Sequence, residues 1–167
     1  FTANSFSQGT WTPKANIGGI SHNGGVGFSI GSKGYIGTGS LGLGIKYKDF
    51  WEYNQTTCTW TQKADFGGTA RLIAVGFSIG TKGYIGTGTG GFGIDFWEWD
   101  QSTNTWTQKA DFGGVPRYRA TGFSIGGKGY IGAGYNGTTY FKDFWEYNPG
   151  TDTWTRKADI GGGGRYN

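Results

Sequence analysis

The stretch Asp49-Phe-Trp-Glu-Tyr-Asn54 recurs twice, and the rest of the chain can be placed relative to its copies. The second copy is Asp95-Phe-Trp-Glu-Trp-Asp100, and the third is Asp143-Phe-Trp-Glu-Tyr-Asn148. Each copy is a short run rich in aromatic residues, which favours a β-strand. Because similar units return at a regular spacing, the sequence indicates a repeat protein.

A second element alternates with this motif. It reads Trp11-Thr-Pro-Lys-Ala-Asn-Ile-Gly-Gly19, and its tryptophan returns at three further positions, Trp60, Trp106 and Trp154. The intervals between these tryptophans are 49, 46 and 48 residues. After each Gly-Gly pair comes a segment that begins at Gly27 in the first unit and is repeated from Gly76 and Gly122. Internal duplication therefore covers nearly the whole chain from Trp11.

The composition narrows the class of protein. The chain has 167 residues, the size of one ordinary domain. Its 36 glycines come with only three prolines and no three-residue period, which excludes collagen, and 18% aromatic residues are too many for a disordered linker. No apolar run is long enough to span a membrane. The net charge of +4 is spread over the repeats, so we expect no nucleic-acid partner.

Each unit contains four strand candidates, a to d, which in the first unit are Val26–Ile30, Gly34–Gly39, Asp49–Tyr53 and Thr59–Ala64. Four short strands in 46–49 residues is the size of one β-propeller blade. Glycine is concentrated in strands a and b, where blades would converge at the axis, and bulky aromatics lie in strands c and d. This change from small residues near the axis to bulky residues farther out predicts an all-β propeller.

The sequence also predicts the boundaries of the repeats. Residues 1–19 would form an N-terminal segment with a leading outer strand over Trp11–Ala15. The blades would be 20–68, 69–114 and 115–162, and residues 163–167 would start a further repeat.

The combined motifs resemble kelch repeats. The resemblance rests on Tyr35-Ile-Gly-Thr-Gly39, the Asp-Phe-Trp-Glu-Tyr motif, Thr-x-Thr-Trp and the arginine that follows. It differs from the kelch pattern in having Gly-Thr-Gly where a Gly-Gly pair is usual. The resemblance implies a propeller of four-stranded antiparallel blades that closes with six or seven blades. Three blades cannot close, so further blades or another chain are needed, and their bare faces would be association surfaces.

Two segments vary between units. The b–c loop has nine, six and eight residues, and the segment before strand a also differs, and both would lie on one face of the disc. Aromatic and amide side chains in these segments could stack on a sugar or hold a peptide, or they could pack over the blade edges. The ligand-binding candidates are Tyr47, Phe92, Tyr118, Tyr135, Asn136 and Tyr140.

A recurring arginine is interpreted as structural. Arg71, Arg117 and Arg165 follow the Gly-Gly pair at one spacing, and His22 takes this place in the first unit. We expect the arginine to pair with a carboxylate such as Asp65 or Glu52; the alternative is a ring of arginines that binds an anion. The motif tryptophans are also predicted to be structural: Trp51, Trp97, Trp145, Trp60, Trp106 and Trp154.

No set of residues predicts catalysis. One histidine and the single Cys58 cannot form a typical zinc site or an intrachain disulfide, and no spacing suggests a Ser-His-Asp set. We therefore expect no catalytic residues, metal site or cofactor. Because the chain starts at Phe1, we expect a processed or excised product.

The predicted function is association without enzymatic activity. The incomplete blade count favours a kelch-type module that assembles with itself, as a ring or filament, through open blade faces and strand exchange. The alternatives are an extracellular carbohydrate-binding module using the variable loops, or a fragment of a larger kelch enzyme. We expect an extracellular or cell-surface location, where Asn54-Gln-Thr56 and Asn136-Gly-Thr138 would fit the N-glycosylation pattern.

Overall fold

The computed structural model is all-β and describes residues 10–19, 22–42, 44–91 and 93–166. Its strands are β1 (Val26–Ile30), β2 (Lys33–Gly37), β3 (Ser40–Gly42), β4 (Ile45–Lys46), β5 (Phe50–Asn54), β6 (Thr59–Gln62), β7 (Val75–Ile79), β8 (Lys82–Gly86), β9 (Phe96–Asp100), β10 (Thr105–Lys109), β11 (Thr121–Ile125), β12 (Lys128–Gly132), β13 (Phe144–Asn148) and β14 (Thr153–Lys157). They form three four-stranded antiparallel sheets with strand orders β1-β2-β5-β6, β7-β8-β9-β10 and β11-β12-β13-β14. These sheets are the three predicted blades, here blades 1 to 3.

The hairpin between the first two strands of each blade follows from its glycine. In blade 1, Ile30 pairs with Lys33, so only Gly31 and Ser32 form the loop. Gly31 has a φ of 56°, in the left-handed region that glycine adopts without a steric penalty. The tight loop sets the register that brings Phe28 opposite Tyr35. Side chains alternate along each strand, so this register decides which residues face the neighbouring blade.

Each blade has two different faces. On blade 2, one face carries Phe77, Tyr84 and Phe96 from its first three strands, and we call this kind of face the aromatic face. The opposite face carries glycines and the motif tryptophans, and we call it the glycine face. In blade 2 this glycine face presents Gly83 and Trp99 to blade 1. The aromatic face of each blade therefore packs on the glycine face of the next.

The contacts between blades are close because glycine is present. A Cβ added at Gly83 would overlap the Phe28 ring of blade 1. A Cβ at Gly129 of blade 3 would likewise lie 2.5 Å from the Phe77 ring. Trp99 of blade 2 packs on Tyr35 and on Phe50 of blade 1, with ring centroids 4.9 and 5.1 Å apart, respectively. The repeats therefore bury one recurring interface twice within the chain.

The predicted leading outer strand is wrong. Within residues 10–19 the structure contains no strand, and Trp11 is fully exposed. A strand needs a neighbour to bond with, and no described strand pairs with this segment. The b–c loop of blade 1, expected to be irregular, instead contains the small hairpin of β3 and β4. Among the described residues there is no helix that is both long and apolar enough to cross a membrane.

Candidate functional site

The recurring arginine is buried and joins adjacent blades. Arg117 donates two hydrogen bonds to Asp143, with Nη1–Oδ1 and Nη2–Oδ2 distances of 2.6 and 2.8 Å. Arg71 makes a single hydrogen bond to Asp95, from Nη2 to Oδ2, and Asp95 Oδ1 has no hydrogen-bond partner among the described residues. The expected partners Asp65 and Glu52 were wrong. The carboxylate is the first residue of the Asp-Phe-Trp-Glu motif of the arginine's own unit, whereas Asp65 and Glu52 lie in the unit before Arg71.

Other contacts complete the arginine site. Arg117 Nη1 also donates to the carbonyl oxygen of Ala133 at 2.9 Å, and Arg71 Nη1 donates to that of Thr87 at 2.8 Å. Ala133 and Thr87 have φ values of 60° and 59°, a left-handed conformation that is strained for a residue with a side chain. These residues occupy the position where kelch repeats usually have glycine. Since both arginines are buried and paired with carboxylates, the geometry favours the structural interpretation over an anion-binding ring.

The Asp143 carboxylate is held in its charged form. Burial by itself raises the pKa of Asp143, but hydrogen bonds from Arg117 and Trp145 and the Arg117 charge outweigh it. The pKa of Asp143 therefore lies below its usual range. Its partner Trp145 donates Nε1 to Asp143 Oδ2 at 2.8 Å. The same bond recurs from Trp51 to Asp49 and from Trp97 to Asp95.

The second set of tryptophans bonds to the neighbouring repeat. The Nε1 atoms of Trp106 and Trp154 each donate to a carbonyl oxygen of the preceding unit, that of Ala64 and that of Ala110, both at 3.1 Å. Trp60 makes the equivalent bond to Ala15 at 2.9 Å. These contacts link units rather than form a cavity. They fit the predicted structural role of the tryptophans.

The two ends of the chain lack a complete arginine site. In blade 1, His22 replaces the arginine, and its Nδ1 lies 3.4 Å from Asp49 Oδ1. That oxygen has no hydrogen-bond partner among the described residues. At the other end, Arg165 bonds only to the carbonyl oxygens of Gly161 and Gly163 and is exposed. The described chain thus has an incompletely paired aspartate in blade 1 and, after blade 3, an arginine with no carboxylate.

The ligand-binding candidates fall into separate groups. Tyr47 stacks on His22 beside blade 1, with ring centroids 4.4 Å apart. Tyr135, Tyr140 and Tyr166 form a cluster beside blade 3, in which Tyr140 lies 4.7 Å from Tyr135 and 5.3 Å from Tyr166 between ring centroids. The structure therefore does not bring the candidates into a single pocket.

The remaining candidates lie beside the tyrosine cluster or outside the described residues. Tyr118 contacts Tyr135 edge-on, and the Asn136 side chain accepts hydrogen bonds from its own turn. Phe92 lies outside the described residues. Tyr166 was missed in the sequence, although its position directly after Arg165 matches that of Tyr118 after Arg117. In the part of the chain that the structure describes, no group of three His, Cys, Asp or Glu residues could hold a metal ion.

The open faces at the two ends are the largest unpaired feature. Phe123 of blade 3 is 46% exposed, whereas its equivalent Phe77 in blade 2 is 4% exposed. Ile36 on the glycine face of blade 1 is 42% exposed, whereas its equivalent Ile85 is fully buried. The sequence predicted open faces but not these residues. The alternation of side chains along each strand was the signal that could have identified them.

Comparisons with known proteins agree with this geometry. Residues 116–160 match the family model described as the kelch motif. A solved structure titled "Structure of YjhT" superposes with a TM-score of 0.76 and 18% sequence identity, over 92% of this chain and 55% of that chain. At this identity the likeness concerns the fold alone. The search of curated proteins gave no match.

The fold and the inter-blade arginine sites define an open segment of a β-propeller with four-stranded antiparallel blades. More particularly, residues 116–160 within it match the kelch motif, which is the motif that the sequence resembles. The chain spans 55% of the length of the YjhT chain.

Proposed function

We propose that this kelch propeller module works by association with a second copy of itself, without enzymatic activity. The supporting observation is that its two open faces are complementary. The aromatic face of blade 3 matches the faces that blades 1 and 2 use inside the chain, and the glycine face of blade 1 matches those that blades 2 and 3 use. Blade 3 of one copy would dock on blade 1 of another by the interface already present within the chain.

The aromatic residues make this complementarity specific. Trp99 and Tyr147 each lie fully buried against the aromatic face of the preceding blade. Their equivalent in blade 1 is Tyr53, which faces no preceding blade in this chain. The aromatic face of blade 3, with Phe123 and Tyr130, has no such ring packed on it. Tyr53 of one copy therefore has a vacant position on blade 3 of the other.

A closed ring of two copies is the arrangement we favour over a filament. Three blades with the curvature of this chain superpose on just over half of the YjhT chain. Two copies with that curvature would meet at both ends, so no open face remains. A filament would leave one open face at each end.

The test is the mass of the 167-residue chain in solution over a range of concentrations. We expect the wild type to reach twice the chain mass. Phe123→Asp places a charge in the proposed interface, and Gly34→Leu places a side chain where Phe123 of the other copy would lie. Within one chain the Cβ at Gly34 would meet only Tyr53 Cβ at 3.8 Å, so this substitution leaves the monomer intact. Each variant should be a folded monomer.

Two controls sharpen this test. Thr81→Asp lies in an exposed turn of blade 2 and should associate like the wild type. Mixing the Phe123→Asp and Gly34→Leu chains leaves one intact pair of faces, so a weaker heterodimer should reappear. A wild type that stays at the mass of one chain, or variants that associate as it does, would disprove the proposal. A mass that keeps rising with concentration would indicate a filament in place of the closed ring.

A second candidate function is carbohydrate binding at the tyrosine cluster. Tyr140 is half exposed and lies next to the exposed Asn136 turn, so an aromatic face and amide groups are available together. Binding to a glycan array that is lost in Tyr140→Ala and Tyr135→Ala would support this function. A blank array would count against it.

We further propose an extracellular or cell-surface setting. Asn136 in the sequence Asn136-Gly-Thr138 is exposed, so a glycan could be attached there. After expression in a secretory compartment, a mass decrease on glycosidase treatment is expected. An unchanged mass would remove this support.

A further inference from the structure

We infer that residues 15–19 and His22 cover, within one chain, the site on blade 1 where the C-terminal segment of a second copy docks, with Arg165 of that copy replacing His22 at Asp49. This inference rests on the proposed self-association and names the segment that must move for it. The partner is residues 158–166 of a second copy.

The N-terminal segment makes the same contacts with blade 1 that the end of each blade makes with the next blade. Ala15 accepts a hydrogen bond from Trp60 as Ala64 does from Trp106. Gly18 lies directly against the Trp51 ring, as Gly67 lies against Trp97. Residues 15–19 thus occupy the place that the end of a preceding blade would occupy. In an assembly, the end of blade 3 from another copy needs the same place.

The two ends of the chain carry complementary halves of the arginine site. Arg117 shows the complete site, with bidentate bonds to Asp143. Asp49 in blade 1 accepts a hydrogen bond from Trp51, but in place of the arginine it has only the 3.4 Å contact with His22. Arg165 occupies the equivalent position after blade 3 but reaches no carboxylate among the described residues. Docking would bring Arg165 to Asp49 and form the same charged pair between copies.

The N-terminal segment is the one expected to yield. Residues 15–19 belong to no sheet in the described structure, and the adjacent Trp11 is exposed. The C-terminal segment continues from β14, which is paired with β13, and the Ile160 and Arg165 backbones are bonded to the b–c loop of blade 3. Displacing residues 15–19 and His22 therefore breaks fewer backbone hydrogen bonds than displacing residues 158–166.

Two glycines provide matched test variants. Gly18→Leu would drive a side chain into the Trp51 ring and expel the N-terminal segment. Gly161 holds the equivalent position at the other end, and a Cβ there would meet nothing within 4 Å. Gly161→Leu is therefore harmless in one chain, but it would strike Trp51 of the second copy. The dissociation constant of the full chain should fall about tenfold in Gly18→Leu and rise at least about tenfold in Gly161→Leu.

Arg165→Gln tests the charged pair separately and should also weaken association by about tenfold. Sedimentation velocity of the wild type, these three variants and Phe123→Asp is the measurement. If Phe123→Asp abolishes association but the glycine variants match the wild type, this inference is wrong and the proposed function stands. If the wild type and Gly18→Leu are both monomeric, the N-terminal segment is not what prevents association, and both proposals are wrong. A monomeric wild type with an associating Gly18→Leu would disprove self-association of the wild-type chain but would support the inference that residues 15–19 cover the site.

Discussion

Blades 2 and 3 have nearly the same strand sequences but different neighbours. Comparing them shows which contacts the repeat forms by itself and which contacts need an adjacent blade. Phe77 and Phe123 occupy the same position, and each stacks on its own tyrosine and phenylalanine. Only Phe77 has a further blade packed against it. The local ring stacking is thus a property of the repeat, whereas burial is a property of position in the stack. The open faces of the end blades carry the same kinds of residues as the faces that are buried between blades in the described structure.

Because of this difference, we expect the middle blade to contribute most to the free energy of unfolding. Blade 2 contributes to both inter-blade interfaces, and the described hydrophobic clusters are centred on them. The outer blades each have one interface and one open face. Substitutions at equivalent positions should therefore have unequal effects, and the effects should depend on whether a neighbour is present.

The largest difference is expected between Phe77→Ala and Phe123→Ala. Phe77 fills the space between two blades, so its removal leaves a cavity and should lower the free energy of unfolding by about 3–5 kcal/mol. Phe123 is already in contact with solvent, so its removal from a monomer should cost about 1 kcal/mol or less. Urea unfolding at a concentration where the chain is monomeric measures both. Equal losses would show that the two blades are not distinguished by their neighbours.

A smaller difference is expected between Arg117→Ala and Arg165→Ala. Arg117→Ala leaves the Asp143 carboxylate without its partner and should lower the free energy of unfolding by about 3 kcal/mol, the lower end of the range because Asp143 is partly exposed. Arg165 is exposed and bonds only to two carbonyl oxygens, so its loss should change stability by about 0.5 kcal/mol or less. Thermal unfolding with Arg117→Lys as a control tests whether bidentate geometry matters. A large effect at Arg165 would contradict its assignment as an unpaired group.

The sequence predicted the strands of each blade well because strand formation there depends on residues that are close together in the chain. Strand a of the first unit, Val26–Ile30, was predicted with the bounds that the structure has, since glycine turns and alternating residues mark it. The arginine partner was wrong because Asp65 and Glu52 lie in the unit before Arg71, whereas the actual partner, Asp95, lies in the arginine's own unit. Sequence distance did not reveal this, because the sheet brings the start of strand c back to the segment before strand a. The leading strand failed because strand formation depends on a partner that the segment itself does not supply.

The smallest expected effect concerns the turn between the last two strands, where blade 1 differs from the others. Cys58, Asn104 and Asp152 occupy one position and have φ values of 55°, 56° and 53°. Asparagine and aspartate tolerate this left-handed conformation better than cysteine does. Asn104 Oδ1 also accepts a hydrogen bond from Ala64 N at 3.0 Å, which joins blade 2 to the preceding unit.

Blade 1 lacks that connection. The Cys58 Sγ donates a hydrogen bond to the Gln55 carbonyl oxygen at 3.6 Å, and the buried hydroxyl of Tyr53 has no hydrogen-bond partner among the described residues. Cys58→Asn would relieve the strained backbone and supply an acceptor for Tyr53 and for the Ala15 backbone. Its free energy of unfolding should rise by about 1 kcal/mol. Chemical denaturation in reducing buffer measures this, with Cys58→Ala as the control that supplies no acceptor and should gain nothing.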